Sequence, residues 1–345
     1  MSKSYDPHVI VVGSGPSGVA TAISCALKGL KVVIIESESF PRYRPGETLH
    51  PGIDPLLKEL GVIKQVQLAG FIRHRGHWIK WDGEQHFAPF NEATSWLGYQ
   101  AFGSDFDAIL LERAISLGVE VLQPCRALRP LVSNNRVIGV LTSNGEIRAS
   151  VVVDATGRRQ WLAHKLKLKV NIYSPQLIAY FGYMEGDCPK RDNSPSIVAD
   201  NKGWTWTARV RPQIYQWTRL SFVHNEFEKE WRPKEFRDLK SKGQIKGADV
   251  TWRAVDHPGG PGYYLVGDAA TVLDPASSHG VLKALMSGMM VAHLVGHVLI
   301  SNQDEGKAIK EYCNWVYKWF NHDVKKLRKL YGLLGEFQRN SQSWL

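Results

Sequence analysis

Apolar and polar positions along the first quarter of the chain follow a strand–turn–helix–strand rhythm. Val9–Val12 is a β-branched run, too short for a helix and apolar on both faces, which suits a buried parallel strand. Residues 20–27 have helical character, Gly29 stops them, and residues 31–35 form a second strand that ends on Glu36. An irregular Pro/Gly-rich loop follows, then a helix over 54–60 closed by Gly61. Period-two alternation predicts strands over 76–82 and 85–88 with a turn at Asp82-Gly83, and another over 96–102. Residues 106–117 place Phe106, Ile109, Leu110, Ala114 and Leu117 on one helical face. Strands at 119–122, 136–143 and 146–152 come next, with a hairpin at Asn144-Gly145.

From 176 to 255 the pattern changes to long alternating strands at 176–185, 204–211, 215–223 and 250–255. Trp204, Trp206, Ala208 and Val210 fall on one face of theirs, so an antiparallel sheet with a covered face forms a second domain. The chain closes with a long apolar helix over 284–300 and helical segments over 306–334 with an apolar stripe.

The turn between the first strand and helix carries the first chemistry. Gly13-Ser14-Gly15-Pro16-Ser17-Gly18 fits G-x-G-x-x-G between strand and helix, and Glu36 stands about 20 residues on, where an acid binds a ribose 2′-hydroxyl. Gly13 permits the turn, Gly15 lets backbone approach a pyrophosphate, and Gly18 lets the helix pack on the sheet. The helix N-terminus adds free N–H groups and roughly half a positive charge. An acid at 36 favours FAD or NAD over a 2′-phosphorylated cofactor.

Composition narrows this picture. A chain of 345 residues with 43% hydrophobic content supports one large or two medium domains with a full core. Four scattered cysteines without C-x-x-C predict reduced thiols and a cytoplasmic setting. The apolar run at 284–300 is interrupted by Ser287, two glycines and two histidines, so a buried helix is expected and no membrane span. The net charge of +10 is dispersed and lacks a recognition motif, which argues against nucleic acid as a partner. His293 and His297 have metal-like i, i+4 spacing but no H-E-x-x-H glutamate, and His74 and His77 are equally weak, so no metal is expected.

Three motifs in order — the glycine turn with Glu36, Asp154-Ala155-Thr156-Gly157, and Gly267-Asp268 followed by Asp274-Pro275 and Gly280 — resemble the FAD-dependent monooxygenase superfamily of the p-hydroxybenzoate hydroxylase fold. The resemblance implies an α/β (α+β overall) architecture: a Rossmann-type FAD-binding domain, an inserted antiparallel β-sheet substrate domain and C-terminal helices. It divides the chain into 1–75, 103–172 and 258–345 for FAD, and 76–102 with 173–257 for the substrate domain. The implied cofactor residues are Gly13, Ser14, Gly15, Ser17, Gly18, Glu36, Arg44, Glu47, Thr48, Ala127, Asp154, Thr156, Gly157, Gly267, Asp268, Pro275, Gly280 and Val281. A helix N-terminus near Gly280 and Val281 would then meet the flavin pyrimidine edge.

Pro45-Gly46-Glu47-Thr48, Trp204-x-Trp206 and Asp274-Pro275-x-x-Ser278-x-Gly280 resemble the halogenase-related branch. The chain departs from halogenases in having Ala208-Arg209 for their Ile-Pro, Arg73 in the nearest register to their essential lysine, and His279 for the threonine before the halide-binding glycine. Among shorter members, the LodB-like flavoproteins that mature tryptophylquinone (CTQ) amine oxidases are the most similar group. That resemblance implies NAD(P)H as a transient reductant, O2 reacting with the reduced FAD at C4a, and hydroxylation of a tryptophan carried by a precursor protein. His279 near a neutral pKa is the expected proton donor, and Trp204 and Trp206 the expected shapers of the aromatic cavity. Two alternatives stay open: a small-molecule flavoenzyme (tryptophan halogenase-like, phenol hydroxylase or geranylgeranyl reductase-like), and a non-enzymatic flavin-bearing interaction protein.

Overall fold

The computed structural model describes residues 6–42, 44–91, 96–222 and 230–333; Val223 and Leu334, the predicted ends of a strand and of the closing helices, lie outside them. A six-stranded sheet forms the first layer, in the order Gly259–Gly260, Tyr263–Leu265, Val151–Asp154, Val9–Val12, Val32–Ile35, Glu120–Leu122. All of its pairings are parallel except that between the first two strands. Val9–Val12 is buried throughout at the centre, as a β-branched run covered on both faces should be. The predicted helix after the glycine turn begins earlier than its apolar pattern, at Pro16, and runs to Ala26. Proline's fixed φ suits the first helical position, where its missing N–H costs nothing.

The 22-residue helix Gly280–Ser301 is long and apolar enough to cross a bilayer by length and composition. It packs instead against the first helix: a Cβ on Gly288 would lie 2.8 Å from Thr21 Oγ1. One face of it is buried, as expected, while His293, His297 and Ile300 are exposed.

A second, seven-stranded sheet takes its strands from Gly76–Lys80, His86–Pro89, Ser196–Asp200, Gly203–Arg211, Ile214–Ser221, Ile178–Glu185 and Lys240–Asp249. One face covers a core of Trp204, Leu220, Trp252, Phe320, Val324, Leu327 and Tyr331. The last four belong to the C-terminal helix Glu305–Tyr331, so this helix reaches from the dinucleotide-side core, through Ala308, Tyr312 and Val316, into the core under the second sheet. The predicted 146–152 strand stops short as Gly145–Arg148, and the β-branched run that follows is a strand of its own, Val151–Asp154, in the six-stranded sheet. The predicted 250–255 strand shrinks to Arg253–Val255, because Asp249 and Ser174 side chains bind the 251 and 252 amides.

Candidate functional site

The strand Val9–Val12 delivers Gly13 into a left-handed conformation (φ +102°), where a Cβ would come 2.5 Å from the Ala155 carbonyl oxygen. A Cβ on Gly18 would lie 2.8 Å from Ala155 Cβ, so the helix can pack on this turn only through glycine. Gly15 is the N-cap, with no side-chain cap and no acid in the first helical turn. The first amides are thus left for an anion. A Cβ on Gly15 would meet Arg44 Nη2 at 3.1 Å and Arg42 Nη2 at 3.8 Å. A glycine cradle, a helix N-terminus and two guanidiniums form a donor set that fits the pyrophosphate of FAD.

Glu36 is buried and already busy. It accepts hydrogen bonds from Ser14 N–H (3.0 Å), Ser14 Oγ (2.6 Å) and Glu38 N–H (3.0 Å), and pairs with Arg42 at 2.6 Å. Burial pushes its pKa up, but Arg42 and the Ser14 bonds outweigh that and hold it below the usual carboxylate value. Ser17 is buried in the first helical turn, its Oγ facing Gly267. Ala127 opens the strand Ala127–Ser133, just after Cys125, whose N–H binds the Glu36 carbonyl at 2.6 Å.

Asp154, Thr156 and Gly157 build the turn that faces the glycine cradle. Asp154 is fully buried, and its two oxygens accept from Thr156 N–H (2.9 Å) and Leu162 N–H (2.7 Å). Thr156 Oγ1 accepts from Trp161 N–H (3.1 Å), and Gly157 turns the chain at φ +65°. Together they hold Ala155 against Gly13 and Gly18, so the structure makes them builders of the turn.

Beyond the glycine turn lies a charged stretch. Arg42 and Arg44 both reach Asp107, at 3.2 and 3.3 Å. Asp268 is open to solvent, with Arg158, Arg44 and Arg253 near enough to favour its ionised form. Burial pushes Glu47 up to about 7, opposed by Arg44 and reinforced by Asp107 and Asp268. Glu47 starts the strand Glu47–Leu49, where Thr48 Oγ1 donates to Gln100 Oε1 at 2.8 Å. A shallow recess continues from Gly267 and Asp268 past Gly280 and Lys283 to Trp315 and Trp319.

The strand carrying Glu47 and Thr48 ends at His50, and there the character changes. The His50 ring lies 5.2 Å from Phe90, 5.9 Å from Trp96 and 5.4 Å from His279. His77 touches Phe90 (5.8 Å) and Trp206 (6.4 Å), and His74 touches Phe90 (5.2 Å). His279 is the N-cap of Gly280–Ser301, with Gly280 exposed and Val281 half-buried in its first turn. Pro275 opens the preceding 3-10 turn, which Asp274 caps by accepting from Ala276 N–H at 2.9 Å. The second Asp274 oxygen accepts from Trp252 Nε1 at 2.5 Å, fixing the approach to the helix.

Burial, with His50 and Lys283 nearby, pushes His279 down to about 4. It is therefore neutral at pH 7, which corrects the expected near-neutral titration. Trp204 packs in the core, as its covered sheet face predicts and not at the aromatic cavity also expected of it, donating from Nε1 to Tyr331 Oη at 2.7 Å. Only Trp206 reaches the histidines, because the residue two positions on lies nearer that end of the sheet. Arg73 spends its guanidinium on the Leu97 and Gly98 carbonyls (2.7 and 3.3 Å) and the Tyr99 ring (3.8 Å). His293 and His297 lie 4.4 Å apart, their rings tilted by 54°, on an exposed surface, and no group of three or more metal-ligating side chains occurs among the described residues. His50, Phe90 and Asp107 escaped the sequence reading; the one local signal was His50 standing before Pro51-Gly52, where a side chain can cap a turn.

Residues 8–163 match the family model described as FAD dependent oxidoreductase. Tryptophan 2-halogenase of Chondromyces crocatus is 27% identical over 90% of this chain and 65% of its own length. The 1H-pyrrole-2-carbonyl-[peptidyl-carrier protein] brominase of Pseudoalteromonas luteoviolacea is 27% identical over 91% of this chain and 82% of its own. Among solved structures, a flavin-dependent brominase superposes with a TM-score of 0.85 at 24% identity, covering 98% of this chain and 91% of that one. The chain thus spans about two thirds of the halogenase and has the mixed α/β fold of the brominase.

Proposed function

We propose that this FAD-dependent oxidoreductase is a halogenase-like flavoenzyme acting on an electron-rich aromatic ring. The observation that carries the reading is the cluster of aromatic and imidazole rings around His50 and His279, to which the strand Glu47–Leu49 leads from the charged stretch. Relatives named for tryptophan and pyrrolyl substrates support the same chemistry. They give no support to hydroxylation of a partner protein's tryptophan, so halogenation, the small-molecule alternative, becomes the main reading.

The residues that would hold FAD are Gly13, Gly15 and the amides of the first helix at the pyrophosphate, with Arg42 and Arg44 over it, and Asp268 on the cleft wall. When bound and reduced by NAD(P)H, FAD would supply the means of activating O2 against halide. This chain's own contribution is to neutralise the phosphates, to carry the strand Glu47–Leu49 from the charged stretch to the chamber, and to surround the ring with Phe90, Trp96 and Trp206. Neutral imidazoles and aromatic edges admit an apolar ring without the cost of stripping water from an ion.

The test is turnover by the FAD-loaded protein with a reductant, O2, and indole or a pyrrole-2-carbonyl thioester, with and without bromide. A brominated product seen only with bromide is expected. An oxygenated, halogen-free product formed equally well without halide would overturn the reading in favour of hydroxylation.

A further inference from the structure

One side of the helix Glu305–Tyr331 belongs to the core, and the side next to it is aromatic and basic. Trp315, Trp319, His322 and Lys326 recur at helical spacing and form a stripe. Ring contacts run along it, Trp315 to Trp319 at 6.4 Å and Trp319 to His322 at 6.4 Å. Trp319 is 39% exposed, although an indole is among the largest apolar surfaces a fold can bury. Lys318, Lys325 and Lys329 flank the stripe and are exposed, as Lys326 is. Among the described residues these lysines have no acidic partner. The one acid between Tyr312 and Tyr331 is Asp323, which is buried and paired with Lys283.

This stripe borders the shallow recess that runs from Gly267, Asp268 and Gly280 to Trp315 and Trp319. Lys283 lines the recess between its ends, with Nζ 5.9 Å from the centre of the Trp319 ring. Its inner end is the cleft wall at Asp268. Its outer end is an exposed indole edged by unpaired cations. Indole stacks flat rings, and lysines attract phosphates. A shallow, open site suits a ligand that arrives and leaves with every turnover.

We propose that the recess and the stripe are the docking site of the reductant, a reduced nicotinamide dinucleotide with its ring on Trp319 and its phosphates among the lysines. The proposal rests on the reading that NAD(P)H reduces the bound FAD. Hydride leaves C4 of the dihydronicotinamide with the bonding electron pair; the dinucleotide departs oxidised, and the FAD is reduced by two electrons. No exposed acid on this part of the helix can accept from a ribose 2′-hydroxyl, whereas lysines suit a 2′-phosphate, so NADPH is the preferred form.

The experiment is calorimetric titration of the FAD-loaded protein with NADP⁺, which carries the ring and the phosphates but no hydride. Saturable binding is expected, about tenfold tighter than that of NAD⁺ and weakened by added salt. Trp319→Ala, and Lys325→Glu combined with Lys326→Glu, should each weaken NADP⁺ at least about tenfold while the FAD content stays unchanged. In rapid mixing with NADPH without O2, the lysine variant should raise the concentration that half-saturates flavin reduction and keep its limiting rate. Absence of NADP⁺ binding to the unaltered protein, or binding indifferent to both variants, would overturn the proposal. Bromination by protein whose FAD is reduced with dithionite would still support the halogenase reading in that event, so the two fail separately.

Discussion

The two ends of the candidate site are built by opposite means. At the glycine turn, Glu36, Arg42 and Asp107 are charged and largely buried, Arg44 is half-exposed and paired to Asp107, and all but Asp107 come from within about thirty-two positions of Gly13. At the chamber, His50, His77, Phe90, Trp206 and His279 come from separate stretches of chain and lie among aromatic rings. A phosphate-bearing cofactor demands fixed charge; an apolar ring demands its absence. The first end is held by pairing that cannot lose a member, the second by packing that tolerates change but not protonation.

The sharpest way to break this contrast is Arg42→Met. It leaves Glu36 and Asp107 buried, with the Glu36 carboxylate stripped of its guanidinium, and should cost about 3–5 kcal/mol in urea unfolding together with the retained FAD. A variant of ordinary stability and full flavin content would mean the charged end is not held by this pairing.

Acid should act on the other end. His74 and His279 are held down to about 4, and His50 and His77 are lowered too, all chiefly by burial. Below the ordinary value of 6.5 the unfolded chain takes up protons that the folded protein refuses, so stability falls as pH drops from 6.5 towards 4. The urea midpoint should decline steadily over that window, before the Glu36 cluster titrates. A flat midpoint between pH 7 and 5 would show that these imidazoles are not kept neutral by the fold.

The two tryptophans sharpen the comparison further. Trp204→Phe removes the donor to buried Tyr331 Oη and should cost about 1–2 kcal/mol. Trp206→Phe, half-buried at the chamber edge, should change stability by less than about 0.5 kcal/mol but weaken indole binding. Reversed effects would exchange their roles.

What could be read from the sequence follows the same division. The glycine turn, its flanking strands and Glu36 are contiguous, and each residue type is dictated by a local backbone demand. That Asp154 binds the amides of its own turn was not legible, because a short acid-small-Thr-Gly turn looks alike whether or not it does so. The strand Lys240–Asp249 was missed because it is polar and glycine-containing, as an edge strand paired only with Ile178–Glu185 can be. His50 had no motif at all. Its meaning comes from a turn that it caps and from rings that are distant in sequence, and only folding brings these together.

The central claim is that the charged end and the neutral chamber belong to one active site, with flavin and aromatic ring in contact. Titrating the FAD-loaded protein with indole while recording the visible absorbance of the flavin tests it most directly. The account predicts a saturable perturbation of the flavin band, at the same midpoint as calorimetric indole binding and weakened in Trp206→Phe. Indole that binds with no change in the flavin spectrum would contradict it.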